Sequence, residues 1–237
     1  MTPQLPALIL AAGRGERMRP LTDRTPKPLL PVRGKPLIEW HLEALARDGV
    51  RDVVINTAWL EEQFPATLGD GSRWGLRIRY SMEGRDHGGA LETAGGIAKA
   101  MPWLIEGGAE AFWVVSGDIH VPDFLFEAAQ AERFLRSRQE AHLWLVPNPP
   151  FHPQGDFGFD AGTGLALAEA GPDGRRWTYS NLALVRPSLT RHITPGTHAK
   201  LGPLLYQGMS KGSISATIYG GHWENVGTPE QLANLNA

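Results

Sequence analysis

Between residues 13 and 27 the chain sets two glycines, Gly13 and Gly15, close to the cations Arg14, Arg17, Arg19 and Lys27. Glycine lets backbone N–H groups close on an anion with no Cβ in the way, and guanidinium and ammonium groups supply the charge a polyphosphate needs. Residues 1–35 carry seven Lys/Arg against only Glu16 and Asp23, whereas the whole chain has a net charge of −2. Positive charge gathered in one place points to an anionic ligand bound there. Two familiar phosphate loops do not fit. The single Gly-Lys pair, Gly34-Lys35, precedes Pro36 rather than a hydroxyl residue, and the third position after Gly15 is Met18 rather than glycine. Pro20, Pro26, Pro28 and Pro31 remove donors and fix φ, so the loop is expected to wrap its ligand as extended chain.

A carboxylate is the second reactive feature. Ser116-Gly117-Asp118 directly follows the apolar run from Ala111 to Val115. A carboxylate aimed at bound phosphates is repelled unless a divalent cation lies between them, and Mg²⁺ is held by one or two carboxylates plus phosphate oxygens. Asp118 is therefore a candidate metal ligand, with a turn-capping aspartate as the plain alternative. Gly208-Met209-Ser210-Lys211-Gly212 matches a nucleophile elbow, but that motif needs a strand before the serine and a helix after it, and here the order is reversed. The chain has no cysteine, which excludes disulfides and thiolate metal sites and favours a cytoplasmic setting.

These residues need a scaffold that brings residues 13–27 and 118 together. Up to Pro147, short β-type runs alternate with helix-type segments, the grammar of an α/β protein whose parallel sheet is covered by helices. Ala7 to Leu10, Val53 to Ile55, Leu76 to Tyr80, Ala111 to Val115 and His142 to Val146 read as strands. Helices are expected from Pro36, with Leu37, Ile38, His41, Leu42 and Leu45 on one face, and over 60–68, 92–101 (ending before Pro102) and 124–138. In open parallel sheets ligands sit outside the carboxyl ends of the strands, which places Asp118 across a crevice from Gly13 if their strands are neighbours. After the turn-rich stretch 148–155, segments 165–169, 179–185 and 213–219 read as strands and 201–208 as a helix. Residues 1–147 are thus expected to form an anion-binding core and 148–237 an acceptor-side part within a single domain. Thr228 before Pro229 reads as a helix N-cap. No apolar stretch approaches bilayer length, and the acidic total gives no broad field for nucleic acid, so neither membrane nor nucleic acid is an expected partner.

Leu10-Ala11-Ala12-Gly13-Arg14-Gly15-Glu16-Arg17-Met18-Arg19-Pro20-Leu21-Thr22, with Pro26-Lys27-Pro28, resembles the opening signature of the sugar-1-phosphate nucleotidyltransferases. The similarity continues through Pro36-Leu37-Ile38, Leu91-Glu92-Thr93-Ala94-Gly95-Gly96, Gly117-Asp118, Gly155-Asp156-Phe157 and Trp223 to Thr228, so it covers nearly the whole chain. It implies a nucleotide-diphospho-sugar transferase fold, a Rossmann-like mixed, mostly parallel sheet with a small antiparallel acceptor-side lobe, and it makes residues 1–147 a nucleotide-binding core and 148–237 a sugar-phosphate side. It also implies transfer of a nucleotidyl group from an NTP, with UTP expected, to a sugar 1-phosphate, with N-acetylmuramic acid α-1-phosphate expected, in peptidoglycan recycling.

By this resemblance Arg17 binds the leaving β/γ-phosphates, Lys27 bridges the α-phosphate and the acceptor phosphate, and Asp118 with Asn225 holds Mg²⁺. Ala11, Ala12, Gly13, Arg14, Gly15, Glu83, Thr93 and Gly96 fall to the nucleotide, and Asp156, Glu169, Asn181 and Lys200 to the sugar phosphate. Two departures stand out. Many relatives carry Asp where this chain has Asn225, which leaves Glu224 as a possible substitute only if the local backbone is irregular. The 85–90 link is longer than in relatives and is expected to form a mobile flap. The same constellation would serve guanylyl, thymidylyl or cytidylyl transfer to mannose or glucose 1-phosphate, or a catalytically weak nucleotide-sugar-binding regulator.

Overall fold

Short apolar runs become strands and the amphipathic segments between them become helices, in a computed structural model that describes residues 5–237. In chain order the first half supplies β1 (Ala7–Leu10), β2 (Pro31–Val32), β3 (Lys35–Pro36), α1 (Leu37–Arg47), β4 (Asp52–Thr57), α2 (Gln63–Leu68), β5 (Arg77–Met82), α3 (Glu83–His87), α4 (Glu92–Leu104), β6 (Phe112–Ser116) and β7 (Ile119–His120). The second half adds α5 (Ala128–Arg136), β8 (Ala141–Val146), β9 (Gly158–Asp160), β10 (Leu165–Leu167), β11 (Thr178–Val185), α6 (Leu201–Ser210), β12 (Ile214–Ile218), β13 (Glu224–Asn225) and α7 (Pro229–Asn236). Nine strands form one sheet in the order β5-β4-β1-β6-β11-β8-β12-β10-β9. It is parallel from β5 to β6, β11 runs antiparallel to β6 and β8, and β12 returns parallel to β8. The antiparallel acceptor-side part, β12-β10-β9, is the far edge of this same sheet.

Both faces of the central strands are covered. Ala7 and Ile9 of β1, with Trp113 and Val115 of β6, pack into one apolar cluster, while Leu8, Phe112 and Val114 pack into another on the opposite face. Burial on two sides is why these strands read as unbroken apolar runs rather than alternating ones. β1 and β6 are neighbours, with Leu10 opposite Ser116, so the chain leaves both strands at the same end of the sheet. Among the described residues no helix is long and apolar enough to cross a membrane.

Three elements differ from expectation. The loop after β1 is not extended; it coils into one-turn 3-10 helices over Glu16–Met18, Leu21–Asp23 and Lys27–Leu29. Its prolines stand where a missing N–H is harmless, Pro20 and Pro26 as caps and Pro28 in a first turn, while the remaining donors close i→i+3 bonds such as Asp23 N–H to Pro20 O (3.1 Å) and Leu29 N–H to Pro26 O (2.9 Å). α4 runs through Pro102 to Leu104, because only one donor is lost in the last turn and Ile105 N–H still closes onto Met101 O (3.1 Å). α5 begins at Ala128 instead of residue 124, since Phe124 and Phe126 turn their rings edge-on to Trp113 and the Phe126 N–H donates to Asp48 Oδ2 (2.7 Å). The reversed elbow stands as read, with α6 before Ser210 and β12 after it.

Candidate active site

A cleft of about 1010 Å³ opens at the carboxyl ends of β1, β4 and β6 and extends to the start of α6. A small-molecule site is typically about 300–1,000 Å³, so this one stands at the large end of that range. Ala11, Ala12, Gly13, Gly15, Arg17, Lys27, Thr93, Asp118, Asp156, Asn181, Lys200 and Asn225 line it. Arg14, Glu83, Gly96 and Glu169 do not.

The donor loop divides its cations. Arg14 turns away from the cleft, stacking over Trp59 at 3.7 Å and donating to Thr22 O (2.9 Å) and Asp23 Oδ1 (2.7 Å), and Arg19 joins the same aspartate (2.9 Å). Those guanidinium groups hold Asp23 below the usual carboxylate range, with the Arg14 hydrogen bond the larger cause. Arg14 is therefore a brace of the loop. Gly15 has φ +67°, and a Cβ there would stand 3.0 Å from the Thr22 methyl, so the tight turn after Gly13 needs glycine. Arg17 and Lys27 are left facing the cleft.

Lys27 Nζ and Asp118 Oδ2 are 2.5 Å apart, and Ser116 Oγ donates to the other oxygen, Asp118 Oδ1, at 2.7 Å. Burial pushes the Asp118 carboxyl up, but the Lys27 charge and the hydrogen bonds outweigh it and hold the group below the usual range, as a carboxylate. The β13–β7 ribbon sets Asn225 opposite Ile119, and Val226 N–H donates to the Asp118 carbonyl (2.9 Å), which brings the two expected metal ligands to one end of the cleft. The ribbon is regular, so Glu224 faces away from Asn225, toward His222 (3.3 Å). Among the described residues no cluster of three or more His, Asp or Glu closes round an ion. One carboxylate and one amide oxygen suit an ion whose remaining ligands are substrate phosphates and water, which is the usual manner of Mg²⁺.

Beside Ala11 sequence reading missed Asn56, which follows the buried run Val53-Val54-Ile55 and lines the cleft. Its Oδ1 accepts from Ala11 N–H (2.8 Å) and its Nδ2 donates to Glu83 Oε1 (2.8 Å), while Glu83 Oε2 accepts from Leu91 N–H (2.7 Å). Glu83 is wholly buried, and that burial raises its pKa against the opposing pull of its hydrogen bonds. It stands behind Asn56 rather than in the cleft. Gly96 makes room for the pair, since a Cβ there would lie 2.5 Å from Asn56 Nδ2. The 85–90 link is pinned rather than loose. Its first residues belong to α3, Asp86 pairs with Lys99 (2.6 Å), and Glu61 accepts from Arg85 N–H (2.6 Å).

The acceptor side is shaped by a bulge. The register of β11 against β8 shifts between Tyr179 and Ala183, and within it Asn181 takes φ +64°, a conformation asparagine tolerates better than most residues. That displacement puts Asn181 in the cleft wall, where strict alternation along a strand gives no signal for it. Asp156 accepts from Tyr179 N–H (2.8 Å) and meets His152 Nε2 at 3.1 Å, so it fastens the 148–157 turns to β11. Glu169 is exposed, beyond the cleft lining, at the edge turn after β10.

The sequence profile of the family described as Nucleotidyl transferase matches residues 6–159. Over 98% of its length the chain is 47% identical to the N-acetylmuramate alpha-1-phosphate uridylyltransferase of Neisseria meningitidis serogroup B, covering 96% of that protein. A protein of the same description from Caulobacter vibrioides is 29% identical over 94% of this chain and 92% of its own length. A Bacillus anthracis crystal structure described as a glucose-1-phosphate thymidylyltransferase superimposes with a TM-score of 0.81 at 20% identity, covering 98% of this chain and 94% of that one, a likeness of fold.

Proposed function

Since the chain belongs to the nucleotidyl transferase family, we propose that its cleft transfers a uridylyl group from UTP to N-acetylmuramic acid α-1-phosphate, releasing pyrophosphate and serving peptidoglycan recycling in the cytoplasm. The observation that carries the reading is that Arg17, Lys27, Asp118 and Asn225 line one large cleft, in a chain 47% identical to a uridylyltransferase over nearly its whole length. An oxygen of the sugar phosphate attacks the α-phosphorus in line. A new P–O bond forms as the α–β bridging bond breaks, and the electron pair leaves with pyrophosphate. The attacking phosphate is already ionised at neutral pH, so no general base is required, and the work of the site is positioning and charge neutralisation.

Backbone N–H groups at Gly13 and Gly15 receive the triphosphate, Arg17 neutralises the leaving β/γ-phosphates, and Lys27 draws the α-phosphate and the acceptor phosphate together. Ala11 and Ala12 offer backbone groups to the base beside Thr93, and Asn56, fixed by Glu83 and Gly96, sets the end of β1 on which they sit. Asn181 and Asp156 border the sugar. Mg²⁺, bound by Asp118 and the Asn225 amide oxygen, would act as template and charge neutraliser for the phosphate oxygens.

Incubation with Mg²⁺, each of the four NTPs in turn, and N-acetylmuramate, N-acetylglucosamine, glucose and mannose 1-phosphates tests this directly. Pyrophosphate release is expected with UTP and N-acetylmuramate 1-phosphate above all other pairs. No release with any pair sinks the transferase reading, and release with another pair alone reassigns base and sugar.

A further inference from the structure

Arg17 and Lys200 line the cleft without a carboxylate partner among the described residues. Arg17 belongs to the loop proposed to hold the donor phosphates. Lys200 comes from a different part of the cleft wall, a strap whose backbone is tightly held against the start of α4. Ala199 N–H donates to Leu91 O (3.0 Å), and Ala199 O accepts from Ala94 N–H (2.9 Å) and Gly95 N–H (3.1 Å). A Cβ on Gly95 would stand 2.3 Å from Thr197 O, and one on Gly196 would stand 2.6 Å from the His87 ring. The strap is thus seated on α4 and α3 while the Lys200 side chain remains exposed to the cleft.

The surroundings add to that positive charge rather than cancel it. α6 starts at the next residue with no side-chain cap, and Leu201 and Gly202 line the cleft, so first-turn N–H groups lie beside the ammonium. His198 lines the same cleft. Asp156 already has one oxygen on Tyr179 N–H and the other near His152, and Glu92, the other carboxylate of this wall, forms no ion pair with Lys200. A neutral hexose offers this ammonium hydroxyl oxygens but no opposite charge, and the substrate phosphates already have Arg17 and Lys27.

Resting on the transferase reading above, we propose that Lys200, at the uncapped start of α6, reads a carboxylate carried by the acceptor sugar. The preferred acceptor class is then a sugar-acid 1-phosphate, of which N-acetylmuramic acid, with its lactyl ether carboxylate, is an example. Lys200 selects among acceptors and takes no part in the phosphoryl chemistry.

The test compares wild type, Lys200→Met and Lys200→Arg for the KM of N-acetylmuramate α-1-phosphate, with UTP fixed, and for the inhibition constant of N-acetylglucosamine α-1-phosphate, the same sugar without the lactyl ether, as competitor. Wild type is expected to favour the carboxylated sugar. Lys200→Met lowers that preference about 10- to 100-fold, the range for a hydrogen bond to a charged group, and Lys200→Arg retains most of it. The inference is overturned by a wild type with no preference, or by a Met variant whose preference is unchanged, whether both affinities fall together, as for a residue on the shared phosphate, or neither moves. Wild type that releases no pyrophosphate overturns the transferase reading instead.

Discussion

Lys27 and Asp118 hold each other at 2.5 Å, and in the proposed reaction each is wanted elsewhere, the ammonium by phosphates and the carboxylate by a metal ion. Asp118→Asn keeps the shape and an acceptor oxygen but removes the charge. Turnover is expected to fall at least ~100-fold with the fold retained by circular dichroism and the melting temperature lowered by the unpaired Lys27 ammonium, and a variant with wild-type kcat would remove Asp118 from the metal role. Asn225→Asp adds the charge this chain lacks, so half-saturation should come at lower Mg²⁺ with activity retained; an inactive variant, or one with an unmoved Mg²⁺ curve, counts against Asn225 as a ligand. Glu83 makes a different kind of contribution. Its two oxygens accept from Asn56 Nδ2 and Leu91 N–H, and Glu83→Gln turns one of these contacts into donor against donor. A buried unsatisfied donor costs about 1–3 kcal/mol, so urea unfolding should shift by that amount and the KM for UTP should rise as Asn56 loosens. A Gln variant with wild-type stability and KM would show that Asn56 needs no such brace.

The elements that carry these residues reach each other through a small apolar cluster beside the main core. Met18 of the donor loop, Leu30, Val32 and Leu37 pack with Val226, Leu232 and Leu235, so α7 clamps the loop that bears Arg17. Leu232→Ala should destabilise the protein by about 2–4 kcal/mol and raise the KM for UTP more than that for the sugar phosphate; equal rises would deny the clamp a local effect. How much of this was legible depends on where the signal lies. Strands buried on both faces announce themselves as apolar runs, and Thr228 was readable as a cap because its hydroxyl does what a cap must, accepting from Gln231 N–H (3.2 Å). The donor loop's residues were legible but not its coil, because prolines placed at caps permit 3-10 turns as readily as extended chain. α5 is shorter than its sequence suggests, since Phe124 and Phe126 serve the aromatic cluster around Trp113. Asn56 and Asn181 were the harder cases. One owes its role to a partner 27 residues away, and the other to a bulge that breaks the two-residue alternation on which strand reading rests.

At the scale of the whole molecule, charge and burial are arranged so that the phosphate end of the sheet stays ionised while the interior stays neutral, and the interior histidines make that arrangement depend on pH. His41, 1% exposed on the buried face of α1, donates through Nε2 to Ile119 O (2.9 Å), and His142 in β8 pairs through Nδ1 with Ser215 Oγ (2.8 Å). Burial pushes both imidazoles down to about 4. In the unfolded chain they titrate near 6.5, so below that pH the unfolded state binds protons the folded state refuses. Their stabilising contribution is full above pH 6.5 and is lost as pH falls toward about 4, by up to ~3 kcal/mol for each. Urea unfolding at pH 7.5 and pH 5.0 should therefore show a marked loss of stability before most carboxylates begin to protonate, and His142→Gln should remove part of that difference. Equal stability at the two pH values would mean that one or both imidazoles reach water or find a carboxylate, and that the interior around β8 is less tightly closed than its packing indicates.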